Sequence, residues 1–145
     1  MSYRKRTILA ISPSGIHNPS TFRDGLELVR SWGHEVILSP NYSAKHLYTA
    51  GTVQQRTSDL EWALQHPTGD LIWFIRGGYG TSQLLDTLTV PINKEIIGFS
   101  DATALLTHAW TIGSTNMVHG PVLNSISLCT QETQLIIKEW LGSGQ

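Results

Sequence analysis

Between Leu71 and Leu106 the chain reads LIWFIRGGYGTSQLLDTLTVPINKEIIGFSDATALL. Two apolar runs each end in a glycine-bearing turn, and each turn leads into a helical pattern. Short apolar runs bounded by turn signals read as buried strands. Strand, turn and helix twice in succession predict parallel strands joined by helical crossovers. A parallel sheet needs helices on both faces, and its crossovers are right-handed. This segment therefore commits the chain to an α/β architecture with its functional loops at the carboxyl ends of the strands.

The remaining sequence extends the alternation. Thr7–Ser12 reads as a first strand, and Ser20 as the N-cap of a helix running to Trp32, with Gly33 at the C′ position. Glu35–Ser39 is a second strand, followed by a polar loop from Pro40 to Gly51. Thr52 caps a helix over Val53–His66 that Pro67 stops. Leu71–Ile75 and Glu95–Phe99 are the third and fourth strands. Thr81–Leu88 is a short helix and Ala102–Ile112 a longer one. Asn116–His119 reads as a fifth strand and Gln131–Leu141 as a final helix. The expectation is one domain, a three-layer sandwich around a parallel sheet of about five strands. At 145 residues the chain has the commonest domain size and can bury a substantial core.

The turn Gly98-Phe99-Ser100-Asp101-Ala102 places a serine where a strand passes into a helix. Hydrolases of the α/β class use G-x-S-x-G at such a turn, because small flanking residues let strand and helix approach while the strained serine points outward. Gly98 fills the first small position and Ala102 the second. The Asp101 amide falls at a helix N-terminus, where unpaired N–H groups favour negative charge, and is a candidate oxyanion donor. The competing structural reading makes Ser100 or Asp101 an ordinary N-cap.

The other turn, Arg76-Gly77-Gly78-Tyr79-Gly80, packs three glycines into four residues. Such a turn permits positive φ and close approach of backbone to a ligand. Its successive amides can form an anion nest, and Arg76 can pair a carboxylate. The alternative is a plain strand-to-helix connection. The spacing is neither the G-x-G-x-x-G of dinucleotide sites nor a phosphate P-loop.

Together these motifs resemble the LD-carboxypeptidases, serine peptidases of murein peptides that include the microcin self-immunity proteins. The resemblance is carried in order by Ile11-Ser12-Pro13-Ser14, by Tyr48–Thr52 with Arg56 and Asp59-Leu60, by Arg76–Gly80, by Ile96–Leu106 and by His119-Gly120-Pro121. It implies a flavodoxin-like N-terminal domain bearing Ser100 as nucleophile. Asp101, Gly77 and Gly78 would supply backbone oxyanion donors, and Arg76, Tyr79 and His119 would line the substrate. The substrate would be a murein tetrapeptide cut before its terminal D-alanine, or the amide of a toxic aminoacyl-nucleotide in the immunity branch. The family's triad runs Ser, Glu, His, the last two from a second domain. Here Glu132 and Glu139 follow Ser100, but no histidine follows either. A C-terminal domain acting in cis or in trans is thus an expected partner, and a homodimer is expected by analogy. A non-catalytic partner module derived from the same domain is the alternative. A third reading makes His108 or His119 the base of a different hydrolase, which requires a ring nitrogen within hydrogen-bond reach of Ser100 Oγ.

Composition narrows the rest. A net charge of −1 gives no reason to expect nucleic acid or an anionic membrane as partner. No apolar stretch is long enough to span a bilayer or to form a signal sequence. The lone Cys129 excludes an internal disulfide, reads as a partly buried thiol and suits a cytoplasmic location. The six histidines lack the spacing of a metal motif, so neither metal nor cofactor is expected. Trp73, mid-strand in an apolar run, is expected in the core.

Overall fold

A computed structural model describes residues 3–143. Five parallel strands form one sheet: β1 (Thr7–Ile11), β2 (Glu35–Leu38), β3 (Leu71–Phe74), β4 (Glu95–Gly98) and β5 (Met117–His119). Their spatial order is β2-β1-β3-β4-β5, the flavodoxin-like arrangement. In register, Ala10 lies beside Trp73, Trp73 beside Ile97 and Ile97 beside Val118. The four α-helices among the described residues are α1 (Pro19–Ser31), α2 (Val53–Gln65), α3 (Ala102–Thr111) and α4 (Gln131–Ser143).

The strands are apolar on both faces because both faces are covered. One core packs Leu9, Ile11, Ile72, Phe74 and Ile96 against Leu60 and Ala63 of α2 and Leu105 and Ala109 of α3. The other packs Ile8, Ala10, Trp73 and Ile97 against Phe22, Leu26 and Val29 of α1 and Ile137 and Leu141 of α4. Trp73 is fully buried and donates its indole N–H to the Pro121 carbonyl at 2.8 Å. It therefore belongs to the core and not to a ligand site.

Several boundaries differ from the sequence reading for local reasons. Helix α1 starts earlier: Asn18, not Ser20, is the N-cap, and its side chain accepts from the amides of Ser20 and Thr21. Pro19 at the first helical position is compatible with this start. Thr52 does cap α2, in a reciprocal capping box with Gln55. The segment Thr81–Thr87 is 3-10 rather than α-helical, and it follows Gly80 with no side-chain cap. A second 3-10 turn, Ile126–Leu128, had no signal in the apolar pattern. Cys129 is half-buried and unpaired.

Candidate active site

The site is assembled from four loops that leave the carboxyl ends of β1, β3, β4 and β5. At the end of β4, Ser100 is held at φ +61° in the left-handed region, which L-residues other than glycine seldom occupy. Its side chain is exposed, and its hydroxyl has no hydrogen-bond partner among the described residues. Two small residues make this bend possible. A Cβ on Gly98 would lie 2.5 Å from the Ala102 Cβ and 3.2 Å from the Phe74 ring. The small-x-Ser-x-small pattern therefore has a steric cause here: strand and helix touch through it.

The glycine turn lies against this serine. A Cβ on Gly77 would sit 3.0 Å from Ser100 Cβ and 3.2 Å from Ser100 Oγ. Gly78 and Gly80 have φ of +114° and +126°. The Gly77 carbonyl turns away to accept from the Gly15 amide at 2.9 Å. Among the described residues, the amides of Gly77, Gly78 and Asp101 have no protein acceptor. Ser100, Asp101 and Gly77 thus converge, with N–H groups from two loops, free among the described residues, beside one hydroxyl.

Asp101 occupies the N-cap position of α3, but neither its side chain nor that of Ser100 caps the helix. The Asp101 carboxylate instead reaches across the site. One oxygen accepts from Ser14 Oγ at 2.7 Å, from the Thr81 amide at 2.9 Å and from Thr81 Oγ1 at 2.6 Å. Ser14 Oγ and Thr81 Oγ1 lie 2.7 Å apart, with both of their protons turned toward Asp101. This network ties together the ends of β1, the glycine turn and the serine turn. Sequence reasoning had assigned only the Asp101 backbone.

A second organising residue, Arg56, also lacked a predicted role. It is 2% exposed and has no carboxylate in direct contact among the described residues. Its guanidinium donates to the carbonyls of Gly51 (3.1 Å), Pro13 (3.1 Å) and Gly80 (2.9 Å), and to the Gln83 side chain. Burial lowers its pKa, while Asp101 and Tyr48 act in the opposite direction. A signal existed in the sequence: Arg56, Leu60 and Ala63 share one helical stripe, and a charge on an apolar stripe marks a buried polar hub. Asp59, on the adjoining turn, does similar work for the β2 exit by accepting from Ser39 Oγ and from Asn41.

The residues expected to line a substrate are spread around the rim. Arg76 is exposed and donates one N–H to the Ile16 carbonyl. Tyr79 is half-exposed and its ring faces Tyr48, with centroids 5.7 Å apart. His119 lies beside Gly98 in register and tilts against Phe99, centroids 5.2 Å apart. His108 is turned away from the site, with Nε2 2.9 Å from the Leu88 carbonyl. Neither histidine hydrogen-bonds Ser100, so the reading with a histidine of this chain as base lacks its required contact. Among the described residues, no three His, Cys, Asp or Glu side chains converge on a metal position.

Comparison with known proteins agrees with this geometry. Residues 8–120 match the family described as the LD-carboxypeptidase N-terminal domain. Over 126 residues the chain is 38% identical to a provisionally assigned carboxypeptidase of Synechocystis sp. and 32% identical to the murein tetrapeptide carboxypeptidase of Pseudomonas aeruginosa. Each match takes in 83% of this chain and 41% of the relative, so the chain spans about two fifths of their length. A solved MccF-like protein from Bacillus anthracis superposes with a TM-score of 0.86 at 24% identity, over 98% of this chain and 46% of that one. The muramoyltetrapeptide carboxypeptidase of Oxalobacter formigenes superposes at 0.75 and 23% identity, over 92% and 47%. The structural likenesses establish the shared fold. With the match over residues 8–120, they place this chain in the LD-carboxypeptidase family.

Proposed function

We propose that this chain is the nucleophile-bearing part of a serine LD-carboxypeptidase that releases the terminal D-alanine of murein tetrapeptides in the cytoplasm. The observation that carries the proposal is Ser100, strained at φ +61° and flush against Gly77 with unpaired amides beside it. Backbone strain of this kind costs energy and persists where the surrounding structure enforces it.

In the proposed reaction Ser100 Oγ attacks the amide carbonyl and a histidine removes its proton. The C–O bond forms as the carbonyl π pair moves onto oxygen. That oxyanion is held by the amide of Asp101 together with that of Gly77 or Gly78. Collapse breaks the C–N bond, and the histidine returns its proton to the departing D-alanine amine. Water then hydrolyses the acyl-serine by the same path. Arg76 provides a charge for a substrate carboxylate, and Tyr79 and His119 provide walls. A serine hydroxyl needs an adjacent base. The base and its orienting carboxylate are assigned to a second, C-terminal domain, present in cis or supplied in trans. A homodimer is proposed as the working form.

The murein reading is preferred to the immunity reading because identity reaches 38% and 32% with carboxypeptidases and 25% with the microcin C7 self-immunity protein of Escherichia coli. The test is D-alanine release from an L,D-tetrapeptide, followed by mass spectrometry. The chain and its Ser100→Ala variant are each assayed alone and with the second domain of a relative. Release that needs both Ser100 and the added domain is the expected result. Release by the chain alone would overturn the assignment of the base, and none under any condition would favour a non-catalytic module.

A further inference from the structure

Two strands away from Ser100, a cavity of about 450 Å³ opens between α1 and the loop that follows β2. Its wall is a cluster of three rings. His17 lies 4.6 Å from Phe22 and 5.9 Å from Tyr42, and Phe22 lies 6.0 Å from Tyr42, between centroids. Its charge is of one sign. Arg23 and Lys45 line it, and none of the described lining residues is acidic. The nearest counter-charge recorded for Arg23 is Asp24, at 4.0 Å on the surface. Lys45 has no ion-pair partner among the described residues. His17 Nδ1 is buried and makes no hydrogen bond among the described residues, an arrangement that is costly until something fills it.

The cavity is also linked to the proposed active site through shared contacts. Ile16 lines it and accepts from Arg76, the first residue of the glycine turn. Gly15 holds the Gly77 carbonyl, and Gly77 abuts Ser100. Lys45 and Arg76 are both close enough to depress the pKa of His17, although burial is the larger cause. A strip of cationic side chains, Arg76, Lys45 and Arg23, therefore runs from the glycine turn to the ring cluster. Such a strip with low-dielectric walls concentrates anions.

We propose that this cavity is an anion-accepting subsite, which binds a carboxylate or phosphate carried on an apolar or planar body. Its use as the distal end of the substrate groove rests on the carboxypeptidase reading above; the binding itself does not. The rings cover the body of the ligand, Lys45 and Arg23 meet its charge, and His17 supplies the unfilled polar position.

The test is a titration of the isotope-labelled chain followed by amide chemical shifts. The probes are phenyl phosphate and hippurate, with phenol as the uncharged control. The expected result is saturable shifts at Ile16, His17 and Tyr42–Lys45, with a dissociation constant of about 1 mM or tighter for one of the anions. Phenol should bind at least about tenfold more weakly. Affinity should fall as salt shortens the screening length from about 10 Å at 0.1 M to about 3 Å at 1 M. The double variant Arg23→Glu, Lys45→Glu should lose at least about tenfold, which is about 1.4 kcal/mol. Both side chains are exposed, so the variant should fold, and its thermal unfolding checks this. The preferred anion decides between a phosphate and a carboxylate source. No saturable shift, shifts confined to another surface, or unchanged affinity in the double variant would each overturn the proposal. Ser100→Ala should bind the probes normally, so a failure of D-alanine release with binding intact faults the reaction and not the subsite.

Discussion

The strain at Ser100 can be measured without any activity assay. Ser100 sits at φ +61°, is exposed and makes no side-chain hydrogen bond among the described residues, so removing its hydroxyl forfeits few contacts. Ser100→Ala keeps a Cβ and with it the clash of the left-handed conformation. Its stability should stay within about 0.5 kcal/mol of the parent. Ser100→Gly removes the clash, worth about 1–2 kcal/mol, while the greater freedom of glycine in the unfolded chain returns about 0.4–1 kcal/mol. The glycine variant should therefore be more stable than the alanine variant by about 0.8 kcal/mol, the centre of a range of about 0–1.6 kcal/mol. With a urea m-value of about 2 kcal/mol/M, the unfolding midpoint rises by about 0.3–0.5 M. The control is the same pair of substitutions at Thr107, exposed in the middle of α3. There glycine should be less stable than alanine by about 0.8–1 kcal/mol. Equal midpoints for the two Ser100 variants, or a lower one for glycine, would refute stored backbone strain and remove the main physical argument for a nucleophile at this turn.

Other perturbations probe the supports around that serine. Gly77→Ala places a methyl group 3.0 Å from Ser100 Cβ. It should cost about 1–2 kcal/mol in urea unfolding and, once the second domain is supplied, roughly a hundredfold in D-alanine release, because small misplacements are amplified in rate. Asp101→Ala frees Ser14 and Thr81 to bond to each other but orphans the Thr81 amide. The expected loss is about 1–3 kcal/mol, with faster hydrogen exchange at Thr81 as the specific readout. Arg56→Met abandons three carbonyls on three loops and should destabilise by about 2–4 kcal/mol in calorimetry or urea. His34 is buried and accepts from the Arg6 amide through Nδ1, and Nε2 pairs with the Tyr3 hydroxyl. Burial first and Arg6 second lower its pKa from the usual 6.5, with Asp70 opposing. The neutral form is the folded form, so its contribution is complete above about pH 6.5 and is lost as pH falls toward the folded pKa. Urea midpoints should drop from neutral to mildly acidic pH, and His34→Gln should flatten that part of the profile.

Much of this was legible in the sequence because the signals are local. Apolar runs such as Leu71–Phe74 and Glu95–Gly98 need only neighbours in the chain to be recognised, and the alternation with helices dictates a parallel sheet. Gly78 and Gly80 announce positive φ by composition alone, and both adopt it. Element ends were less legible. Asn18 and Ser20 are both good caps, and the choice between them falls to Asn124, whose side chain accepts from the Asn18 amide and Thr21 Oγ1 across the fold. The 3-10 geometry after Gly80 likewise follows from contacts that begin elsewhere, with Thr81 pinned to Asp101.

The same division runs through the site. By itself the sequence determined the fold class, the serine turn and the glycine turn, since each is a property of a few consecutive residues and their allowed backbone angles. It also placed both turns at strand ends, because parallel topology leaves no other position for them. Only the tertiary structure decided how the turns meet. It set Gly77 against Ser100, turned the Asp101 carboxylate to Ser14 and Thr81 rather than to its own helix, and buried Arg56 among three loop carbonyls. Apart from Gly51, five positions before Arg56, these partners lie 20 to 87 positions apart in the chain. A hydrogen bond at such separation has no local signature. It is selected because each polar group buried by the packing of strands and helices must find a partner there.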